Sequence, residues 1–131
     1  MDENRAIMEM YRRTAELKSK AVQEYVEMLL DAGQKFLIFA HHKELMDAIE
    51  HSCNRRKGCK FMRIDGSTPA TDRSRLVKSF QEDDTVRVAI LSIKAAGVGL
   101  TLTAASTVVF AEMTWTPGEI IQAEGKKKEF Y

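Results

Sequence analysis

The sequence lacks most of the features that would announce a chemistry on their own. Only two cysteines, Cys53 and Cys59, occur in 131 residues, too few for a disulfide framework, and free thiols fit a reducing compartment. Charge of one sign is missing: 20 Lys and Arg against 19 Asp and Glu leave a net +1, so any contact with a polyanion must come from a few placed groups. The longest apolar runs, such as Phe36 to Ala40, are far too short to span a bilayer, and no membrane partner is expected. Met1 to Arg5 is polar and acidic and reads as no secretory signal. There is no GxxxxGK[ST] loop and therefore no self-contained site for nucleoside triphosphate phosphates. There is also no acidic Mg²⁺-binding cluster after an apolar strand, no GxSxG elbow and no setting for a nucleophilic cysteine. Repeats and low-complexity linkers are absent.

What is present is the composition of one folded domain. The chain is 44% hydrophobic and 30% charged, which separates it from disordered sequences, and its length is enough for a single core. The first thirty or so residues have helical spacing, through Ile7, Met8, Tyr11, Ala15, Leu17, Val22, Tyr25, Val26 and Leu29, and Gly33 is a helix stop. Lys35 to Ala40 (KFLIFA) reads as a buried strand. Glu44 to Arg56 returns to helical spacing, and Phe61 to Ile64 is a second strand. Thr68 is placed to cap a helix that starts at Pro69 and turns its apolar stripe inward through Leu76, Val77 and Phe80. Val86 to Ile93 and Thr107 to Ala111 are two more strands, and Thr116 to Glu119 reads as a capping box for a last helix. Strands that are apolar on both faces, alternating with amphipathic helices, predict a parallel sheet covered on both sides. Right-handed crossovers then place every loop that follows a strand on one edge, where ligands of such sheets bind.

Those loops carry the chemistry. Ser92 to Thr103 (SIKAAGVGLTLT) offers bare backbone N–H groups around Gly97 and Gly99, with hydroxyls on Ser92, Thr101 and Thr103. This suits close approach to phosphate oxygens, and equally a tight turn in which glycine relieves strain. Arg63 to Thr68 (RIDGST) puts a carboxylate, Gly66, Ser67 and Thr68 before a helix, as an anion site or as a simple cap. Arg73 is one turn on, set to reach a phosphate or to pair with Asp72 or Asp65. His41 and His42 follow the first strand as phosphate-facing polar groups or a helix cap. With His51, Cys53 and Cys59 they match no standard zinc spacing, and no metal is expected. Trp115 reads as an anchor for the last helix or as a stacking group. Arg55-Arg56-Lys57 is a solvated helix end whose cations suit the dipole.

Taken in order, these segments resemble the C-terminal lobe of Swi/Snf-type DNA-dependent ATPases. KFLIFAHH (Lys35 to His42), RIDGST with Arg73, ILSIKAAGVGLTLTAASTVVFAEMTWTPG (Ile90 to Gly118) and Gln122-Ala123-Glu124 are similar to that lobe's successive motifs. The AHH, LSI and FAE variants resemble the annealing-helicase branch. The resemblance implies a three-layer RecA-like (P-loop NTPase-like) α/β fold over residues 34–124, preceded by an inter-lobe helical segment over 1–33. It implies that His41, His42, Gly66, Ser67, Arg73, Ser92, Lys94 and Trp115 face DNA, fork or duplex, at its phosphate backbone. It places Gly97, Gly99 and Gln122 at a nucleotide cleft completed by the N-terminal helicase lobe, where ATP and Mg²⁺ bind in the two-lobe enzyme. It further implies a nuclear enzyme that rewinds DNA, remodels stalled forks and meets replication and repair proteins.

The chain departs from this pattern at residues 125–131, which read as a divergent or truncated tail, an alternative transcript end or a cut boundary. Lys126 and Glu129 stand where the family places two arginines that stabilise charge on the transferring phosphoryl group. Lysine lacks the bidentate fork and glutamate has the wrong sign. The lobe's later strand and helix are expected to be missing, the isolated chain to be inactive, and its uncovered surface to favour self-association. The alternative reading is a non-catalytic module that binds DNA or a partner.

Overall fold

The computed structural model describes residues 18–95 and 102–111, and the backbone of 127–130. The chain runs through a helix over residues 18–31 (α1), strand Phe36–Ala40 (β1), helix Lys43–Asn54 (α2), strand Lys60–Ile64 (β2) and helix Ala70–Glu82 (α3). Strand Val86–Ser92 (β3), a single 3₁₀ turn at Ile93–Ala95, strand Thr107–Phe110 (β4) and strand Lys127–Phe130 (β5) complete it. All pairings are parallel, in the order β2-β3-β1-β4-β5.

The period-two alternation of each strand sorts its side chains between two cores. Phe36, Ile38 and Ala40 of β1, with Val88, Ile90 and Val109, pack against Val22, Val26, Leu29 and Leu30 of α1 and Leu45, Met46, Ile49 and Cys53 of α2. Leu37 and Phe39, with Met62, Ile64, Ala89, Leu91, Val108 and Phe110, pack against Phe80, Leu76 and Val77 of α3. β1 is buried along its whole length because it lies in the middle of the sheet with helices on both faces. No helix among the described residues is long and apolar enough to cross a membrane.

Polar side chains tie the edge of the sheet where the strands begin. The Lys35 ammonium donates to the Phe80 carbonyl and, at 3.0 Å, to the Asp83 carbonyl, while lying 4.5 Å above the Phe80 ring. Arg87 donates to the carbonyls of Leu30 (3.0 Å) and Gln34 (2.8 Å), which closes the end of α1. Gly33 sits there with φ +76°, the left-handed turn the sequence predicts. Gln81 holds the approach to β4 from both sides, donating to the Thr103 hydroxyl (2.9 Å) and accepting from the Ala104 N–H (2.8 Å).

Several sequence expectations shift. Thr68 does not cap α3: Pro69 holds the N-cap position without a side-chain bond, and the Thr68 hydroxyl instead accepts the Asp65 N–H at 3.0 Å. A turn closed on Asp65 has claimed that oxygen first. β3 ends at Ser92, one residue early, because Ile93 begins the 3₁₀ turn. Thr103 belongs to the edge where β4 begins, not to the edge where the strands end, and its hydroxyl is held by Gln81. The Arg55-Arg56-Lys57 end is tied as well as solvated, with Arg56 2.7 Å from Asp31 of α1. The tail was expected to leave the lobe without a later strand, yet Lys127–Phe130 runs beside β4 from Thr107↔Lys127 to Phe110↔Phe130. The capping box at 116–119 and the helical spacing before residue 18 lie outside the described residues.

Two outcomes follow. Phe80 is the one fully buried side chain of α3 and the base of the Lys35 contact, so Phe80→Ala should lower unfolding stability by about 3–5 kcal/mol, read from the urea midpoint. Successive residues of a strand point their N–H groups to opposite sides, so one of Lys128→Pro and Glu129→Pro should be clearly destabilising and the other nearly neutral. Equal urea midpoints for both would remove β5 from the sheet.

Candidate nucleic-acid interface

The parallel register brings the ends of four strands level. Ala40 is opposite Ser92, Leu91 is opposite Ile64, and Phe39 is opposite both Leu91 and Phe110. His41-His42, Asp65 to Thr68, Ile93 to Ala95 and Ala111 therefore leave the sheet along one rim. Phe39 and Phe110 stack beneath it at 5.4 Å between centroids, and Ala111 donates to the Phe39 carbonyl at 2.9 Å.

Each segment has its own construction. His41 and His42 are exposed, with ring centroids 4.9 Å apart in an edge-to-face arrangement. His42 occupies the N-cap position of α2 without a side-chain cap, and its carbonyl accepts from Leu45 and Met46, each at 3.1 Å. The 3₁₀ turn buries Ile93 and Ala95 and so forces Lys94 outward, next to the half-buried Ser92.

The Asp65 turn is closed upon itself. Its Oδ1 accepts from the Ser67 N–H (2.9 Å) and the Ser67 hydroxyl (2.6 Å), and the Asp65 carbonyl accepts the Thr68 N–H (3.1 Å). Ser67 foremost, then its backbone N–H and Arg63, outweigh burial and hold the Asp65 carboxyl below the usual carboxylate range. Arg73 clasps the turn from α3, donating to the carbonyls of Thr68 (3.0 Å) and Asp65 (3.1 Å) rather than pairing with Asp72, which lies 3.6 Å from Arg75. Among the described residues, two of its five N–H donors are used in this way. The loop is thus a turn closed on itself rather than a helix cap, with Arg73 held against it from α3.

Gly66 is at the apex, exposed, with φ outside the left-handed region and open space where a Cβ would stand. Nothing within the described fold requires glycine there. The small residue leaves the backbone open to a group arriving from outside.

Arg63 is a residue the sequence reading gave no role. It projects from β2 toward α2 and is held by Asp47 (2.6 Å), Glu50 (2.9 Å) and Asp65 (3.2 Å). Burial works against its charge, but the bonds from Asp47 and Glu50 outweigh it and hold the guanidinium more firmly cationic than usual. The apolar strand KFMRI signals an inward-facing arginine, but the carboxylates that await it come from a helix 13 and 16 residues earlier.

Of the sequence-predicted site residues, His41, His42, Gly66, Ser67, Arg73, Ser92 and Lys94 therefore share one rim. Ser67 differs from expectation in that its hydroxyl serves Asp65. Trp115, Gly97, Gly99, Gln122 and Lys126 lie outside the described residues, and Glu129 is described by its backbone alone, in β5. No three His, Cys, Asp or Glu side chains among the described residues are grouped to hold a metal ion.

Comparison with known proteins bears on the family and the fold. The profile of the helicase conserved C-terminal domain matches residues 17–127. The chain is 50% identical over 121 residues to the mouse (Mus musculus) DNA annealing helicase and endonuclease ZRANB3, covering 92% of this chain and 11% of that protein. It is 46% identical over 129 residues to the Xenopus tropicalis SWI/SNF-related matrix-associated actin-dependent regulator of chromatin subfamily A-like protein 1, covering 96% of this chain and 13% of that one. The chain thus spans little more than a tenth of the length of these relatives. The crystal structure of the C-terminal part of the Fun30 ATPase domain superposes with a TM-score of 0.69 at 32% identity, over 86% of this chain and 38% of that one. A three-layer parallel fold, motifs gathered on one rim and a profile match over most of the length lead to one assignment: the chain belongs to the helicase conserved C-terminal domain family, as a RecA-like lobe of the Swi/Snf ATPase type.

Proposed function

We propose that this chain is the second motor lobe of an ATP-dependent DNA translocase of annealing-helicase type. In the whole protein, a nuclear one, it would grip the phosphate backbone of forked or duplex DNA while the strands are rewound and stalled forks remodelled, in company with replication and repair proteins. The observation that carries the reading is the rim itself. Exposed His41, His42 and Lys94 and the half-buried Arg73 stand around an apex, Gly66, whose lack of a side chain serves no internal purpose. Phosphate oxygens are met well by such a mixture of cations, polar groups and bare backbone.

ATP would lie in the cleft between this lobe and the N-terminal lobe, bordered here by Gly97, Gly99 and Gln122. Mg²⁺ would be held there from the other lobe, since the carboxylates that this lobe gathers, Asp47, Glu50 and Asp65, are occupied by the Arg63 guanidinium. Bound ATP would supply the driving force through hydrolysis. Lys126 and Glu129, in place of two arginines, withhold the fork that would stabilise the transferring phosphoryl charge, so the isolated chain should not hydrolyse ATP. That substitution also favours a second reading, a non-catalytic module that binds DNA, a partner or another copy of itself.

The two readings share the DNA rim, and a glycine substitution tests it. Gly66→Ala should stabilise the fold slightly, by about 0.4–1 kcal/mol, because it restricts only the unfolded chain. It should nevertheless weaken DNA binding about tenfold, as expected for one lost bond to a charged group. Duplex binding by fluorescence anisotropy should weaken roughly 40- to 150-fold between 50 and 200 mM salt if about three to four phosphates are contacted. Unchanged affinity in the Gly66→Ala chain would overturn the rim. DNA-stimulated ATP hydrolysis by the isolated chain would overturn the assigned role of the arginine positions.

The turn itself has a pH signature. Because the Asp65 carboxyl titrates lower in the folded chain than in the unfolded one, its contribution is complete above the ordinary aspartate range near pH 4. It is lost as pH falls from there through the folded value. Asp65→Asn should therefore lower the urea midpoint at pH 7 and pH 5, and the difference from the native chain should shrink by pH 3. A difference that holds constant down to pH 3 would show that the carboxylate charge is not what closes the turn.

A further inference from the structure

Away from the rim, the described residues bring two thiols together. Cys53 is in the last turns of α2 and fully buried. Cys59 follows a tight turn, closed by its N–H on the Arg56 carbonyl at 3.2 Å, and is half-buried just ahead of β2. Both pack into the same apolar cluster between α2 and the sheet, and two successive turns, the Arg56 N–H on the Cys53 carbonyl and the Cys59 N–H on the Arg56 carbonyl, each at 3.2 Å, fold the chain between them back on itself. The Cys59 sulfur also lies 3.9 Å from the Lys60 carbonyl. Neither thiol has a part in the DNA rim, and no third ligand among the described residues joins them to make a metal site.

We propose that Cys53 and Cys59 form an oxidisable dithiol that a hydroperoxide closes to an intramolecular disulfide, tying the end of α2 to the start of β2. Access sets the order of events. The Cys59 thiolate attacks one peroxide oxygen, the O–O bond breaks, and Cys59 becomes a sulfenic acid while water leaves. The Cys53 sulfur then attacks the Cys59 sulfur. The S–S bond forms, the S–O bond breaks, and the departing hydroxide leaves as water with the Cys53 proton. Two thiols lose two electrons and hydrogen peroxide becomes two waters.

The surroundings favour this sequence over separate oxidation. Burial first, then the charge of Cys59 and the hydrogen bond with it, and last Glu50, push the Cys53 thiol up to about 12, so Cys53 is inert while Cys59 is reduced. Oxidation of Cys59 removes only the lesser contributions, and burial, the largest, remains, so Cys53 reacts only with a sulfur that its own cluster already holds. Between them, Gly58 has φ +83° and open space around it, a joint that can adjust the approach of the two sulfurs.

The test uses the whole chain and hydrogen peroxide, followed by alkylation and mass spectrometry. The expected product is a monomer that has lost two hydrogens, with both cysteines protected from alkylation and both restored by dithiothreitol. The Cys59→Ser chain should show no such loss. Oxygen added to Cys59 while Cys53 remains alkylatable on unfolding would overturn the proposal, as would a disulfide-linked dimer. A second measurement needs no variant: phenylarsine oxide, which bridges two neighbouring thiols, should load one arsenic per native chain. Failure to load would equally overturn it.

Discussion

A parallel sheet needs cover on both faces, and that single constraint organises this chain. β1 is enclosed along its length, so every second side chain meets α1 and α2 and every other one meets α3. The helices can cover both faces only if each returns the chain to the same edge before the next strand. All strands then start on one edge and finish on the other. The gathering of His41, Asp65, Lys94 and Ala111 on one rim is thus a consequence of burying Phe36 to Ala40. The site is placed by hydrophobic burial, and its own polar groups do little of the placing.

The two edges are built differently. Where strands begin, long side chains reach across the sequence to backbone carbonyls: Lys35 to Phe80 and Asp83, Arg87 to Leu30 and Gln34. These bonds satisfy helix ends and connections that would otherwise be under-bonded. Where strands finish, bonds are mostly local, as in Asp65 with Ser67 and Thr68. A locally closed turn keeps its shape largely by its own bonds. Arg73 is the exception, since it clasps the turn from α3 with two donors.

How much of this could be read from the residues depends on the range of the physics involved. KFLIFA, VRVAILSI and TVVF declare themselves as strands because continuous apolarity is a local signal, and the alternation with helices then fixes the layers. Gly33 announces its left-handed turn for the same reason. The rim followed from topology, and the known motifs only sharpened it. Thr68 was misjudged as a helix cap because two local bonding schemes compete for one hydroxyl, and spacing alone does not rank them. Thr103 was assigned to the wrong edge because a loop that crosses the sheet has one end on each rim. Arg63 with Asp47 and Glu50, and Gln81 with Thr103, were invisible because partners so far apart in sequence meet only after the layers are assembled. β5 was missed because Lys127 to Phe130 carries almost no apolar signal. Its pairing with β4 is a backbone interaction, available to nearly any sequence at an open edge.

This division between buried and local forces also bears on how such a lobe works. The Arg63 cluster joins α2, β2 and the Asp65 turn through one guanidinium that three carboxylates hold in place. Such a pairing adds little net stability when its members are partly solvated, but it restricts geometry, because a fork with three anions has few arrangements that satisfy all of them. A shift of α2 would therefore be transmitted to the Asp65 turn through Asp47, Glu50 and the Arg63 guanidinium of β2. The same helix begins at His42 on the rim, so two of the four rim segments are tied to one rigid element. His41 and His42 on one side, and Gly66 and Ser67 on the other, are in this way coupled to a single helix.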